Sequence, residues 1–174
     1  GSDRVLIGAP GNDTVAASAG AAYLFSTNGT LLRTFTNPIP ASYDGFGVSV
    51  AAVGNDRVLI SSIDYAVTLD GTAYLFNTNG ALLTTFTNPT PAGSQQFGFS
   101  VAALGNDRVL IGKLADNVNS GKAYLFRTNG TLLKTFANPT PAAFDEFGFS
   151  VAAVVRHDSP TTETVAKSSG LASR

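Results

Sequence analysis

The chain repeats itself at a period of about 50 residues, and this repeat constrains the fold more than any other feature. Three tyrosines and three Phe-Gly pairs recur at intervals of 50 or 51 residues. They are Tyr23, Tyr74, Tyr124, Phe46-Gly47, Phe97-Gly98 and Phe147-Gly148. Such a period indicates a unit that buries its apolar surface only against neighbouring units. The sequence therefore predicts a stack of similar units.

Each unit contains four short strand candidates joined by turn sequences. In the middle unit they are residues 46–53, 57–61, 72–76 and 81–86. Asn28-Gly29 and its two copies stand between apolar runs, and Asn-Gly is the favoured pair of a type I′ hairpin turn. Gly54-Asn55-Asp56 predicts a second hairpin in the unit. No apolar period of 3.6 residues is sustained, which argues against helices.

Alternation within the strands indicates sheets with two apolar faces. Tyr74 and Phe76 lie on one face of their strand, and Ala73 and Leu75 lie on the other. A sheet of this kind must be covered on both sides. The proline-containing connectors, such as residues 87–96, cannot continue a central strand. We therefore expect each connector to cross from one sheet to the next.

These features together predict an all-β fold of β-propeller blades, each with four antiparallel strands. A β-solenoid is the structural alternative, but its coils are shorter and lack such regular hairpins. The chain begins on a second strand at residues 3–8 and ends on a first strand at residues 147–154. It therefore holds three blade equivalents, or twelve strands, in a permuted register. The repeats fill residues 1–154, and residues 155–174 form a polar tail typical of a linker, a tag or a flexible terminus.

Three blades are fewer than the roughly four to eight of ordinary propellers. Two chains would supply six blades if each donated its last strand to the first blade of its partner. We therefore predict a strand-exchanging, two-fold symmetric homodimer, because strand edges left unpaired would invite aggregation. The alternative is that the chain belongs to a longer propeller of about seven blades.

The three Phe-Gly pairs, together with Gly8-Ala9-Pro10, resemble FG-GAP repeats. These repeats form the blades of integrin α-chain propellers and of many bacterial surface and secreted proteins. The resemblance covers residues 3–154 and implies an extracellular or cell-surface location and a role in adhesion. This sequence departs from the family at residues 61–63 and 112–114, where Gly-Ala-Pro is replaced. The Asp-x-Asp-x-Asp-Gly calcium loop of many family members occurs in no copy.

Composition excludes several classes of partner. The 12 acidic and 11 basic residues give a net charge of −1 and are dispersed along the chain. No binding of nucleic acid is expected from this balance. No apolar stretch approaches the about 20 residues that cross a bilayer, so no membrane insertion is expected. Cysteine is absent, which excludes disulfides and thiolate metal sites.

No residue pattern predicts catalysis, and we expect no enzyme activity. The single histidine, His157, lies in the polar tail without a counterpart in the repeats. No cysteine nucleophile, Gly-x-Ser-x-Gly motif or His-rich metal spacing occurs. Asp44, Asp145 and Glu146 precede Phe-Gly pairs, but Gln95 and Gln96 replace them in the middle unit. These acids are expected to be solvated loop charges.

One loop differs between copies while the strands around it stay nearly the same. We call its copies variable loop 1 (residues 8–20), variable loop 2 (61–71) and variable loop 3 (112–122). The other exposed turns hardly differ, so either this loop was diversified for binding or its neighbours are held by structure. The candidate binding residues offer carboxylates, amides and an aromatic ring to a glycan or protein ligand. They are Asn12, Asp13, Asp64, Tyr65, Asp70, Asp116, Asn117 and Asn119.

Variable loop 3 also contains the only weak candidate for a metal site. Asp116, Asn119 and Ser120 supply oxygen donors that suit calcium. Val118 stands where the calcium loop requires a ligand, so no cofactor is predicted. The function expected from the sequence is a non-enzymatic binding or adhesion module that presents divergent loops on a propeller rim. The alternative is a structural or assembly unit of a larger surface protein, with no ligand of its own.

Overall fold

A computed structural model describes residues 3–67, 70–91, 95–114, 121–142 and 145–154. Within these ranges it contains eleven β-strands and no helix, so the predicted all-β class is confirmed. No helix long and apolar enough to cross a membrane is found in the described ranges. The strands are β1 (Arg4–Ala9), β2 (Ala21–Ser26), β3 (Leu31–Thr36), β4 (Val50–Val53), β5 (Arg57–Ile63), β6 (Gly71–Asn77), β7 (Leu82–Thr87), β8 (Phe97–Leu104), β9 (Arg108–Lys113), β10 (Lys122–Arg127) and β11 (Leu132–Ala137).

The strands form three antiparallel sheets in which each strand pairs with the next along the chain. Sheet 1 contains β1 to β3, sheet 2 contains β4 to β7 and sheet 3 contains β8 to β11. The predicted four-stranded unit is confirmed in sheets 2 and 3. Sheet 1 has three strands because β1 corresponds to the second strand of a unit, as the permuted register predicted.

The Asn-Gly hairpins are present, but the predicted type I′ turn is wrong. A type I′ turn needs a positive φ at both central residues. Gly29 has a φ of +88°, whereas Asn28 is not among the residues with positive φ. The Gly29 N–H donates to the Ser26 carbonyl at 2.9 Å, and the Ser26 N–H donates to the Thr30 carbonyl at 2.9 Å, so Gly29 is the extra residue between them. This is a type I turn followed by a glycine bulge, and the other two copies repeat both bonds.

The first and third Phe-Gly pairs lie in turns, whereas the second begins β8 with an irregular register. Of the predicted strand 46–53, only Val50–Val53 pairs as β4. Gly47 has a φ of +94°, and a Cβ there would lie 2.4 Å from the Ala21 carbonyl oxygen. Only glycine therefore allows this approach between a connector and the preceding sheet. In sheet 3 the same irregularity shifts the register between Phe97 and Ser100.

The predicted last strand, residues 147–154, is not a strand in the described chain. Residues 146–149 form a turn in which the Phe149 N–H donates to the Glu146 carbonyl at 2.9 Å. β4 and β8 each pair with the strand that follows them, whereas no described strand follows residue 154. The expectation of twelve strands is thus corrected to eleven within the described ranges. The predicted tail, 155–174, lies outside the described residues.

The middle sheet is covered on both faces, as its alternation predicted. One face packs on sheet 1 through a buried cluster that includes Ile60, Tyr74 and Phe76. The opposite face packs on sheet 3 through Leu59 and Leu75. One ring contact recurs at both interfaces with centroids 5.4 Å apart, between Phe35 and Phe76 and between Phe86 and Phe126. The same interface is thus built twice.

Strand directions sort the connections into two ends. The variable loops and the Asn-Pro connectors join strands at one end, which we call the loop end. The Asn-Gly turns and the Gly-Asn-Asp turns join strands at the opposite end, which we call the turn end. The divergent parts of the sequence are therefore gathered on one surface.

Candidate functional site

At the loop end, the first Asn-Pro connector ties two variable loops together. The Tyr43 N–H donates to the carbonyl of Ala17 in variable loop 1 at 2.7 Å. From variable loop 2, the Ile63 N–H donates to Asp44 at 2.8 Å and the Tyr65 N–H donates to Tyr43 at 2.9 Å, both to carbonyl oxygens. One backbone segment thus bonds to both loops. The two loops and the connector form a continuous surface.

The connector itself is folded around one carboxylate. Asp44 Oδ2 accepts the side-chain amide of Asn37 at 2.8 Å and the Ala41 N–H at 2.7 Å. Asn37 in turn accepts the Ile39 N–H on its Oδ1 at 3.1 Å. Because Asn37 is buried, these bonds also satisfy polar groups withdrawn from water.

The other units use the same clamp, with donor and acceptor seven positions apart in the sequence. Asn138 donates to Asp145 Oδ2 at 2.7 Å, and Asn88 donates to Gln95 Oε1 at 3.1 Å. The expectation of solvated charges is therefore wrong for Asp44, which is half-buried and accepts two hydrogen bonds. The same expectation is incomplete for Asp145, which is exposed but accepts hydrogen bonds from Asn138 and Ala142 of its connector. Glu146 is exposed, as expected.

An open cleft of about 370 Å³ lies between the connectors and variable loop 2. Three carboxylate residues line it, namely Asp44, Asp64 and Asp70. Hydroxyl, amide and backbone groups complete the lining, from Ser62, Gly71, Thr72, Thr87, Asn88 and Pro91. In the described part of the chain, no three His, Cys, Asp or Glu residues are grouped so as to hold a metal ion. The cleft is acidic, because all of its charged lining residues are carboxylates.

The structure brings two of the predicted residues together in this cleft. Asp64 and Asp70 lie at the two ends of variable loop 2, where the Asp64 N–H donates to the Asp70 carbonyl at 3.0 Å. Asp64 Oδ1 also accepts the N–H groups of Ala66 and Val67 at 2.8 and 3.0 Å. Asp64 therefore folds its own loop as well as lining the cleft.

The predicted residues of variable loop 1 lie outside the cleft and fold that loop. Asn12 donates to the Tyr23 hydroxyl at 3.0 Å, and Asp13 accepts the Ser18 N–H at 2.6 Å. The hydrogen bonds of these two side chains stabilise the fold of variable loop 1. Asp116, Asn117, Asn119 and Ser120, with the calcium prediction that rests on them, lie outside the described residues, as does His157.

Tyr65 and Tyr74 have a pKa above the ordinary value of tyrosine, so both phenols are neutral at physiological pH. Burial raises the pKa of Tyr65 above its ordinary value of 10.0. Burial also raises the pKa of Tyr74, where the hydrogen bond with Thr72 opposes the shift and the Asp44 carboxylate adds to it. Tyr65 is 44% exposed and its ring lies against Gly45. It presents an aromatic face at the loop end.

Several cleft residues were missed in the sequence. Thr72 and Thr87 lie at strand ends and resemble ordinary strand residues, so no local signal identifies them. Asn88 and Asp44 do carry a signal, because an Asn and an acceptor recur seven residues apart in every unit. That spacing predicts a clamped connector beside each variable loop.

Neither protein-family models nor curated proteins identify a relative of this chain. No model of a protein family matches the chain, and no curated protein matches it. The resemblance to FG-GAP repeats therefore stays a prediction that rests on the Phe-Gly pairs and their period.

Proposed function

We propose that the chain forms three blade equivalents of an FG-GAP-like β-propeller whose loop end binds a polar ligand outside the cell. Three meander sheets of similar sequence, stacked through two equivalent apolar interfaces, support the blade assignment. A propeller gathers the loops of successive blades around one rim. The extracellular location rests on the family resemblance alone.

The cleft beside variable loop 2 is the observation that carries the binding proposal. Its carboxylates accept hydrogen bonds, and its hydroxyl and amide groups both donate and accept them. Sugar hydroxyls require this mixture of groups. An exposed ring such as that of Tyr65 stacks on the apolar face of a sugar. We therefore favour a glycan over a protein surface as the ligand.

The acidic lining predicts the charge of that glycan. Asp44, Asp64 and Asp70 would repel a sialylated or sulfated chain, because like charges brought together in a cleft oppose binding. We expect neutral oligosaccharides to bind and anionic ones to be rejected. No residue is assigned a catalytic role.

An array of neutral and anionic glycans tests this proposal. The wild-type chain should retain neutral oligosaccharides, and Asp64→Asn or Tyr65→Ala should weaken that retention at least about tenfold, equal to 1.4 kcal/mol. Asp13→Asn is the matched control, because Asp13 lies in a variable loop but outside the cleft. No retention by the wild-type chain, or equal retention by all variants, would contradict the proposal.

A structural or assembly unit is the second candidate, and one observation favours it. Asn12, Asp13 and Asp64 each form hydrogen bonds that fold their own loops. Divergence of the loops therefore requires no ligand. A chain that assembles normally but retains no glycan or protein ligand would support this function over binding.

A further inference from the structure

We propose that a second copy of this chain docks onto the free edge of β1. Residues Val151–Val154 of one copy would pair with β1 of the other copy and become the first strand of sheet 1, which we call the inner strand, as β4 is in sheet 2 and β8 is in sheet 3. This inference rests on the blade assignment proposed above and does not depend on the ligand. Two copies joined in this way at both ends form a closed ring of six blades.

The register of this pairing is fixed by two internal precedents. In sheet 2, Ala52 pairs with Val58, and in sheet 3, Ala103 pairs with Val109. The corresponding residues for the third instance are Ala153 and Val5. Ala153 of one copy should therefore face Val5 of the second copy, with Val154 opposite Arg4.

Burial at β1 shows what the missing strand and sheet would cover. Val58 and Val109 are 2% and 0% exposed, whereas the equivalent Val5 is 43% exposed. The residue two positions further along each strand shows the same difference in exposure, because Ile60 is fully buried and Ile7 is 48% exposed. Apolar side chains that are core residues in two units thus lie in solvent in the first.

A cleft marks the place of the incoming side chain. Between sheets 2 and 3, Val53 of the inner strand β4 is fully buried and packs in a cluster with Leu59, Leu75 and Val109. The equivalent residues between sheets 1 and 2 are Leu6, Leu24 and Val58, and these line a cleft of about 570 Å³. The residue equivalent to Val53 is Val154, which is 89% exposed. Val154 of the second copy would enter this cleft beside Leu6, Leu24 and Val58.

The third Phe-Gly pair, at the start of the terminal segment, lies against sheet 3 where the inner strand of a following sheet would begin. A Cβ on Gly20 or Gly71 would meet the carbonyl oxygen of the next Phe, at 2.2 and 1.8 Å. Gly121 meets Phe147 in the same way, at 1.8 Å. The third Phe-Gly pair therefore docks on sheet 3 as the first two dock on sheets 1 and 2. Among the described residues, no strand follows it along the chain to pair with.

The outer strand of sheet 3 presents a matching apolar surface. Phe35 and Phe86 are 3% and 2% exposed because each packs on a ring of the next sheet. The equivalent Phe136 is 41% exposed. Its ring partner by the repeat is Phe25 of sheet 1, which only a second copy can bring to it in a ring of two chains.

Engineered disulfides test the register, since the chain has no cysteine of its own. Val5→Cys with Ala153→Cys should give, after mild oxidation, a covalent two-chain species on a non-reducing gel, because directly opposed Cβ atoms lie within disulfide range. Val5→Cys with Ala152→Cys is the matched control. A shift of one residue turns the side chain to the other face, so this pair should not cross-link.

An internal pair separates failure of docking from failure of the blade assignment. Ala52→Cys with Val58→Cys occupies the same position within sheet 2 and should form a disulfide inside one chain. If the internal pair forms and the Val5–Ala153 pair does not, the docking proposal is overturned. A Val5–Ala153 disulfide within a single chain, or a ladder of cross-linked species longer than two chains, would also overturn the closed ring of two.

A surface variant provides a second test that does not depend on cysteine chemistry. Val154→Arg places a further positive charge beside Arg4 and Arg57, which line the cleft together with Leu6, Leu24 and Val58, so this variant should run as a single chain in size exclusion. Ile39→Arg is the control, because Ile39 is 79% exposed in a connector and does not line that cleft. It should keep the mass of the wild-type protein. Equal masses for the two variants would contradict the proposal.

Discussion

Truncation of Phe86 is predicted to remove a large share of the stability of the chain. Phe86 is 2% exposed and its ring packs 5.4 Å from that of Phe126, in the apolar cluster between sheets 2 and 3. A buried Phe covers about 150–250 Å², which at about 25 cal/mol per Å² corresponds to about 4–6 kcal/mol as an upper bound. Partial relaxation around the cavity lowers this cost, and we expect Phe86→Ala to lose about 3–5 kcal/mol.

Urea unfolding followed by circular dichroism measures this loss. A domain of this size has about 5–15 kcal/mol of stability in total, so the midpoint should fall steeply. Leu83→Ala is the matched control, because Leu83 lies on the same strand and is 49% exposed. It should cost less than about 1 kcal/mol at the same protein concentration. A loss below about 1 kcal/mol for Phe86→Ala would refute the stacked-sheet interface.

Three further predictions concern backbone geometry and pH. Gly47→Ala should prevent stable folding, because its Cβ would lie 2.4 Å from a carbonyl oxygen. The Cβ of the control variant Gly29→Ala meets nothing within 4 Å, so this variant should cost only about 1 kcal/mol of stability. Equal thermal midpoints for the two variants would contradict this prediction. Gln96 has a φ of +40°, so Gln96→Gly should raise the free energy of unfolding by about 0.5–1 kcal/mol, and an unchanged value would argue against backbone strain. Burial raises the pKa of Tyr74, so the stability gained from its neutral form is complete below pH 10.0 and is lost as the pH rises through the raised pKa. Tyr74→Phe should flatten the fall in stability above about pH 10, as measured by urea unfolding; an unaltered fall would contradict the assignment.

The stacking of the sheets could be predicted because it follows from local alternation. Tyr74 and Phe76 on one face, with Leu75 on the other, require cover on both sides, and the structure supplies it from sheets 1 and 3. The repeat period and the turn residues gave the strand count per unit. These signals depend on neighbours along the chain, so a sequence displays them directly.

The turn type, the terminal segment and the cleft depend on relations that a sequence does not display. Asn-Gly is compatible with two hairpin geometries, and the backbone angles decide between them, because Gly29 has a positive φ and Asn28 does not. Residues 147–154 have the sequence of a strand but no described partner to pair with. Asp44 is an ordinary loop acid in the sequence, and it becomes a clamp only when Asn37 folds back on it. The cleft likewise joins strand ends that are distant along the chain.

The mass of the unmodified chain in solution tests the central claim most directly. Light scattering behind size exclusion should give about 36 kDa, which is twice the 17.9 kDa of one chain. A mass that stays at 17.9 kDa at high protein concentration would contradict the ring of two copies. In that case Val5, Ile7 and Phe136 would be exposed in the free chain, and further blades would have to come from other parts of a longer propeller.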